Sequence, residues 1–231
     1  SVQSLEKFIR KKQLLAFYKN KPTVITEGQY HFNKRSFFTA AFGKKIIHLA
    51  PDIEFTNAKI NLNVYPNPNA IFTTRPDRNI NFLISAWYDI FKENNKSKLF
   101  INPPYSLSEK DMINNIKLRF LGDKSNLIKD LLDSRLMLVP GHKGEVFCLA
   151  AAEAQEMCIP IVTMGYGCLK ERVEHLKTGF IAKNKKEFSG YASLILNDDS
   201  VFRKFRNNLL EVRGSKKWSF VADSFISMLK N

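Results

Sequence analysis

Glu145 and Glu153 bracket part of the run GEVFCLAAAEAQEMCIPIVT, which reads as a loop, a helix of small residues and a buried strand. A carboxylate offers two oxygens and several lone pairs, and so suits paired hydroxyl groups. Eight residues of helix span roughly 12 Å, so two such carboxylates fit a ligand with hydroxyls at both ends. Between them lies a helix start, where unpaired backbone N–H groups and the macrodipole favour an anion. A nucleotide-sugar, with hexose, diphosphate and ribose in a row, has that layout. Taken alone, the two are better read as a solvated helix-start residue and a surface position. The flanking sequence has to decide.

Those carboxylates need a scaffold. After residue 65, AIFTT, KLFIN, RLMLVP, IPIVTM and TGFIA read as short strands. INFLISAWYDIFKE, SEKDMINNIKLRF, SNLIKDLLDS, residues 147–157 and a stretch through LKERVEHL read as helices between them. Three more helices close the chain near 185–196, 198–211 and 217–230. Such alternation predicts an α/β fold, an open parallel sheet covered by helices on both faces. Ligands in such sheets bind beyond the carboxyl ends of strands, where Glu145 and the Gly165–Gly167 loop both fall. Upstream, residues 4–19 read as a basic amphipathic helix, PTVIT and KKIIHLAP as short apolar runs, and 30–43 as another helix. The Asn- and Pro-rich stretch 52–69 reads as a connector. A boundary near residue 65 gives an N-terminal segment, 1–65, and a domain of 66–231.

The chain has 231 residues, 44% of them hydrophobic and 25% charged, ordinary for a globular protein with a substantial core. A formal net charge of +14 is not ordinary. It implies attraction to something anionic: phosphorylated substrates, an acidic membrane surface or nucleic acid. No compact basic run and no nucleic-acid-binding module is present, which argues against nucleic acid as a partner. Cys148, Cys158 and Cys168 have neither zinc nor redox spacing and read as buried reduced thiols of a cytoplasmic protein. No eighteen-residue apolar stretch or signal peptide is present, and Ser1 in place of an initiator Met suggests processing or a longer parent. His31, His48 and His175 form no metal-ligand pattern, and His142, in the polar GHKG loop, reads as a surface residue. There is no P-loop and no Ser-His-Asp arrangement.

The order Glu145, Glu153, IPIVTMGYG, Glu171-Arg172-Val173 and Thr178-Gly179-Phe180-Ile181 resembles the donor-binding half of family 4 (group 1) glycosyltransferases. These are retaining enzymes of the two-lobed GT-B fold, and the resemblance covers about residues 66–231. It implies a Rossmann-like nucleotide-sugar-binding domain, with 1–65 the tail of an acceptor-binding lobe. Glu145 would then meet the transferred sugar's hydroxyls and Glu153 the ribose. The backbone of Phe147, Cys148 and Leu149 would face the diphosphate or sugar. Gly165 and Gly167 would leave room for the ligand, and Glu171 would open the next helix beside it. The family's phosphate-binding Arg, four residues, Lys-Gly falls on Thr73 to Asn79: Arg78 takes the Lys position, Asn79 the Gly and Thr73 the Arg, with Arg75 as a substitute cation. Arg presents a planar fork suited to phosphate.

No metal or other cofactor is expected, since cations and amides can stabilise the departing diphosphate. The resemblance implies a carbohydrate or lipid-linked acceptor, and the charge suits a peripheral position at an anionic membrane face. Most of an acceptor lobe is expected to come from a longer parent chain or from a second polypeptide. Alternatives from other classes are a non-catalytic or degenerate GT-B subunit, favoured by Thr73, a nucleotide-sugar epimerase, and last a basic nucleic-acid-binding protein.

Overall fold

The computed structural model describes residues 14–34 and 43–229. An N-terminal segment comprises α1 (Leu14–Asn20), β1 (Val24–Thr26), α2 (Gln29–Lys34), β2 (Lys44–Ile46) and α3 (Ile53–Asn57). Its two strands pair in parallel as a small separate sheet. The main domain then alternates β3 (Ala70–Phe72), α4 (Ile80–Glu93), β4 (Leu99–Ile101), α5 (Glu109–Ile113), β5 (Ile116–Leu118), α6 (Lys124–Leu132) and β6 (Leu136–Val139). It continues with α7 (Leu149–Glu156), β7 (Ile161–Thr163), α8 (Leu169–Arg172), β8 (Gly179–Ile181), α9 (Lys185–Asn197), α10 (Asp199–Val212) and α11 (Trp218–Leu229).

The six main strands are all parallel, in the order β5-β4-β3-β6-β7-β8. Chain direction across the sheet reverses between β3 and β6, the crevice where such folds take ligands. Side chains alternate across each strand, and here both faces are apolar. Ala70, Phe72, Leu136 and Leu138 join Trp87 of α4, Phe188 of α9 and Phe205 of α10 in one core. Ile71, Met137 and Val139 join Leu131 of α6, Ala151 and Ala154 of α7 and Phe55 of α3 in the other. In α4, Ile80, Leu83, Ile84, Trp87 and Ile90 recur at helical spacing and all face inward. In α7 the small side chains of Ala151, Ala152 and Ala154 are buried, so its backbone lies close to the sheet.

Three local expectations are corrected. The stretch SEKDMINNIKLRF is not one helix: a Ser108–Asp111 capping box starts α5, Asn115 turns left-handed at φ 59°, and β5 forms the sheet edge. Asn tolerates that conformation, and only Ile116 of β5 is buried, which hides the strand from an apolar scan. The 52–69 connector contains α3, capped by the Asp52 side chain on the Glu54 N–H and anchored by Phe55, 1% exposed. The LKERVEHL helix ends at Arg172, because Val173 is extended and His175 bridges to Gly179. For the two upstream helices, 14–20 and 29–34 are helical; residues 1–13 and 35–42 lie outside the described residues.

Gly179 shows how tightly the sheet is set. A Cβ there would lie 2.1 Å from the Ile161 carbonyl oxygen and 2.9 Å from its nitrogen. Both obstacles are backbone, so neither can rotate away. Gly179→Ala is expected to cost at least ~3 kcal/mol in a denaturant melt, by parting β7 from β8.

Candidate functional site: the crevice between β3 and β6

Two loops meet at the reversal point. The loop after β3 runs from Thr73 to Asn79, and that after β6 from Pro140 to Cys148. Asn79 holds φ 66° and donates its side-chain amide to the Gly141 carbonyl, stitching one loop to the other. Beneath, the Thr73 carbonyl accepts from Asn102 Nδ2 at 2.7 Å. Asn102 in turn accepts from Arg119, whose fork holds Asp130 at 2.9 and 2.6 Å. The first loop is therefore braced across three strands.

Together the loops enclose a cleft of ≈ 240 Å³ lined by Thr73, Thr74, Arg75, Arg78, Glu145, Cys148, Leu149, Ala150 and Glu153. Arg78 Nε lies 3.4 Å from Glu145 Oε2, with both side chains mostly covered. The same guanidinium donates to His142 Nδ1 at 3.2 Å, and the Gly144 N–H meets that nitrogen at 3.0 Å. Two donors on one ring nitrogen fix it as the acceptor, leaving the other nitrogen protonated in the neutral ring. Arg75 lines the rim, its guanidinium pairing with Asp77 at 2.9 Å on the exposed surface.

Cys148 takes a left-handed conformation at φ 56° and turns the chain into α7. Phe147 is buried below: Arg172 covers its ring at 4.0 Å and donates to its carbonyl at 2.9 Å. The N–H groups of Leu149 and Ala150 carry no hydrogen bond among the described residues. Unpaired amides and the helix dipole there make the cleft floor electropositive. The roughly 12 Å helix-rise spacing between the carboxylates does not apply, because α7 begins only at Leu149. Glu153 sits one turn into α7, half-buried, and its side chain has no hydrogen bond or ion pair among the described residues. Burial first, then the negative charge of Asp52, pushes its carboxyl up to about 7. An unsatisfied half-buried carboxylate is a ready acceptor for hydroxyl donors.

Gly165, Gly167 and Glu171 lie outside the cleft lining. Gly167, at φ +66°, abuts the carbonyl oxygens of Glu145 and His142, which a Cβ would approach to 2.5 and 2.6 Å. Its bareness lets Cys168 N–H donate to the Glu145 carbonyl at 3.0 Å, so it fixes the Glu145 loop from behind. Gly165 packs against Ile181 and Lys170 in the same manner. Glu171 faces the N-terminal segment, accepting the Tyr30 N–H. The cysteine thiols are buried and pushed up, Cys148 and Cys168 to about 12 and Cys158 to about 11, chiefly by desolvation. They are not poised as nucleophiles. Among the described residues no three His, Cys, Asp or Glu side chains cluster as a metal site would, and no helix is long and apolar enough to cross a membrane.

Sequence reasoning passed over His142, Asn79 and Asn102 as site residues. His142 stands three residues before Glu145 in a Gly-flanked loop, the one local signal available. The Asn79 and Asn102 contacts join residues 62 and 29 positions apart, with no local signature.

No curated protein matches the chain. Among solved structures, HepE of Anabaena in complex with UDP-glucose is similar at TM-score 0.71 and 18% identity, covering 100% of this chain and 70% of HepE. A TarM mutant of S. aureus, in complex with fondaparinux, alpha-GlcNAc-glycerol and UDP, gives 0.71 and 16%, covering 90% of this chain and 44% of TarM. A Glycosylation Associate Protein (Gap123) complex from Streptococcus agalactiae gives 0.56 and 13%, covering 82% and 41%. The chain thus spans less than half the length of TarM. At these identities the likeness is one of fold, that of the GT-B glycosyltransferases. The sequence pattern described as Glycosyl transferases group 1 matches residues 71–211, from β3 through α10 and well over half the chain. This chain therefore belongs to the group 1 glycosyl transferases.

Proposed function

We propose that the crevice holds a nucleoside-diphosphate sugar and serves a retaining transfer of its hexosyl group to an acceptor hydroxyl, without a metal or further cofactor. The supporting observation is the 3.4 Å Arg78–Glu145 pair beside the unpaired amides of Leu149 and Ala150. Charge grows on the diphosphate as the glycosidic bond breaks. Arg78 and the start of α7 line one cleft, which supports a role for them in stabilising that charge with little reorganisation. Glu145 grips the sugar hydroxyls and Glu153 the ribose. The acceptor attacks on the face that the diphosphate leaves, so no protein nucleophile takes part. Phe147 and Cys148 shape the turn into the amides; Gly165, Gly167 and Glu171 hold the second loop against it. Arg75, exposed, meets the diphosphate only by turning from Asp77.

The acceptor on this reading is a carbohydrate or lipid-linked glycan. Residues 1–65 contribute to its side of the cleft, with the remainder supplied by further polypeptide or a second chain. The fold likeness to the Gap123 complex fits the second chain. The +14 charge suits a peripheral position on an anionic membrane face in the cytoplasm. A second reading, a donor-binding subunit without transfer, is favoured by Thr73: its hydroxyl stands where the resemblance puts an Arg, and it has no hydrogen-bond partner among the described residues.

The UDP complexes of HepE and TarM make uridine nucleotides the first donors to test. Calorimetric titration with UDP, GDP and ADP in EDTA is expected to give a Kd of about 10 µM to 1 mM for at least one. Absence of binding by all three would sink the proposal. Binding without product, when UDP-glucose is supplied with acceptors, would select the second reading.

A further inference from the structure

We infer that Tyr30, outside the cleft and in the N-terminal segment, is a positioning residue for the Arg78–Glu145 pair; the inference rests on the donor-binding reading above. Tyr30 reaches the site loop after β6 and the short helix α8 after β7. Its backbone N–H donates to the Glu171 carboxylate, which sits so close over Gly28 that a Cβ there would be 2.6 Å from Oε2. Its phenol donates to the Lys143 carbonyl at 2.6 Å. That carbonyl and the Gly144 N–H belong to one peptide group, and the Gly144 N–H donates to His142 Nδ1 at 3.0 Å. The same nitrogen accepts from Arg78 at 3.2 Å, and Arg78 meets Glu145 at 3.4 Å.

The chain of contacts is continuous: phenol, peptide, imidazole, guanidinium, carboxylate. A peptide whose oxygen accepts a hydrogen bond donates more strongly through its N–H, so the phenol sets how the Gly144 N–H shares His142 Nδ1 with Arg78. The other arm works on α8, after β7. Glu171 lies three residues after Cys168, whose N–H holds the Glu145 carbonyl at 3.0 Å. Tyr30 thus ties the loops after β6 and β7 together and sets the plane of the 143–144 peptide. His142 can accept from Arg78 only where that peptide leaves it. Side-chain packing anchors the tyrosine, whose half-buried ring lies against the core that holds Met137, Val139 and Ala151.

Tyr30→Phe removes the phenolic oxygen and keeps the ring. In the free protein the ring ¹⁵N resonances of His142 are expected to move in this variant; unchanged resonances overturn the inference. With UDP-glucose, Tyr30→Phe is expected to weaken binding about 3- to 10-fold, the scale of one lost hydrogen bond. The same change made in a His142→Ala background is expected to add less than about 1.5-fold, because the relay is already cut. Equal effects in both backgrounds also overturn the inference, since a general loosening would be additive. Should the unmodified protein bind no donor, the donor-binding reading fails alone and the His142 resonances still decide the coupling.

Discussion

Arg78→Ala is expected to lower the rate of sugar transfer at saturating donor by ~10²–10³-fold, the usual scale for removing one oriented charge stabiliser. Two effects combine. On the proposed reading, the leaving diphosphate would lose the one cation that the cleft holds firmly among the described residues, because Arg75 is 70% exposed and paired with Asp77. Glu145, meanwhile, loses its 3.4 Å counter-charge and stays mostly covered. Leaving a carboxylate unpaired in such a site raises its cost and frees its rotamer, so the sugar is gripped less well. Arg78→Lys should recover part of the rate, as a point charge without the fork that spans His142 and Glu145. Arg75→Ala should cost less than about 5-fold, as for an exposed pair. Initial rates with UDP-glucose and the natural acceptor check the series. Equal losses at positions 75 and 78 would show that charge count matters and geometry does not.

Glu153→Gln is expected to change stability and binding in opposite directions. The carboxyl of Glu153 lies near about 7 in the fold, against an ordinary 4.5 in the unfolded chain. A raised folded value means the unfolded state gives up its proton more readily. This group therefore does not penalise folding below about 4.5, penalises it increasingly as pH rises towards 7, and does so fully above 7. Removing the charge should stabilise the protein by ~1–2 kcal/mol at pH 8, after discounting for the solvent that still reaches the group. At pH 4.5 the gain should vanish. Donor binding at pH 8 should weaken about 10-fold, because the amide is the poorer partner for a ribose diol. Urea melts at both pH values and calorimetry with UDP read the two signs. A Glu153 that merely faced solvent would move neither.

The sheet was legible because its strands are apolar on both faces and its helices carry their own period, as Ile71 against Phe72 and the inward row of α4 illustrate. β5 was not, since one buried residue, Ile116, leaves no pattern to read. In the site, Glu145 and Glu153 drew notice by type and spacing and Arg78 by the family resemblance, and the chain brings all three to one cleft. What spacing could not show is which neighbour each would choose. Glu171 turned to Tyr30, 141 residues away, and Gly167 to the carbonyl of Glu145. Thr73 keeps its hydroxyl buried and unpaired among the described residues, and its residue type offers no reason to expect that. Contacts of this kind are settled by tertiary packing, which a local reading does not contain.

The Asn79–Gly141 tie has a kinetic meaning as well. It joins loops whose strands, β3 and β6, pair directly although β4 and β5 are formed between them in the chain. Parallel pairing over such a separation forms late and slowly, after a large loop-closure cost. No partly folded chain lacking that pairing can present the cleft, so on the proposed donor-binding reading binding would report on completed pairing of β3 with β6. A ligand that binds only the finished state also draws the chain towards it by mass action, by ~2.7 kcal/mol at a hundred times its Kd. If the proposed donor is the ligand, a cell that keeps its nucleotide-sugars abundant would supply the chain's own folding aid, and starvation for the sugar would shorten the protein's lifetime.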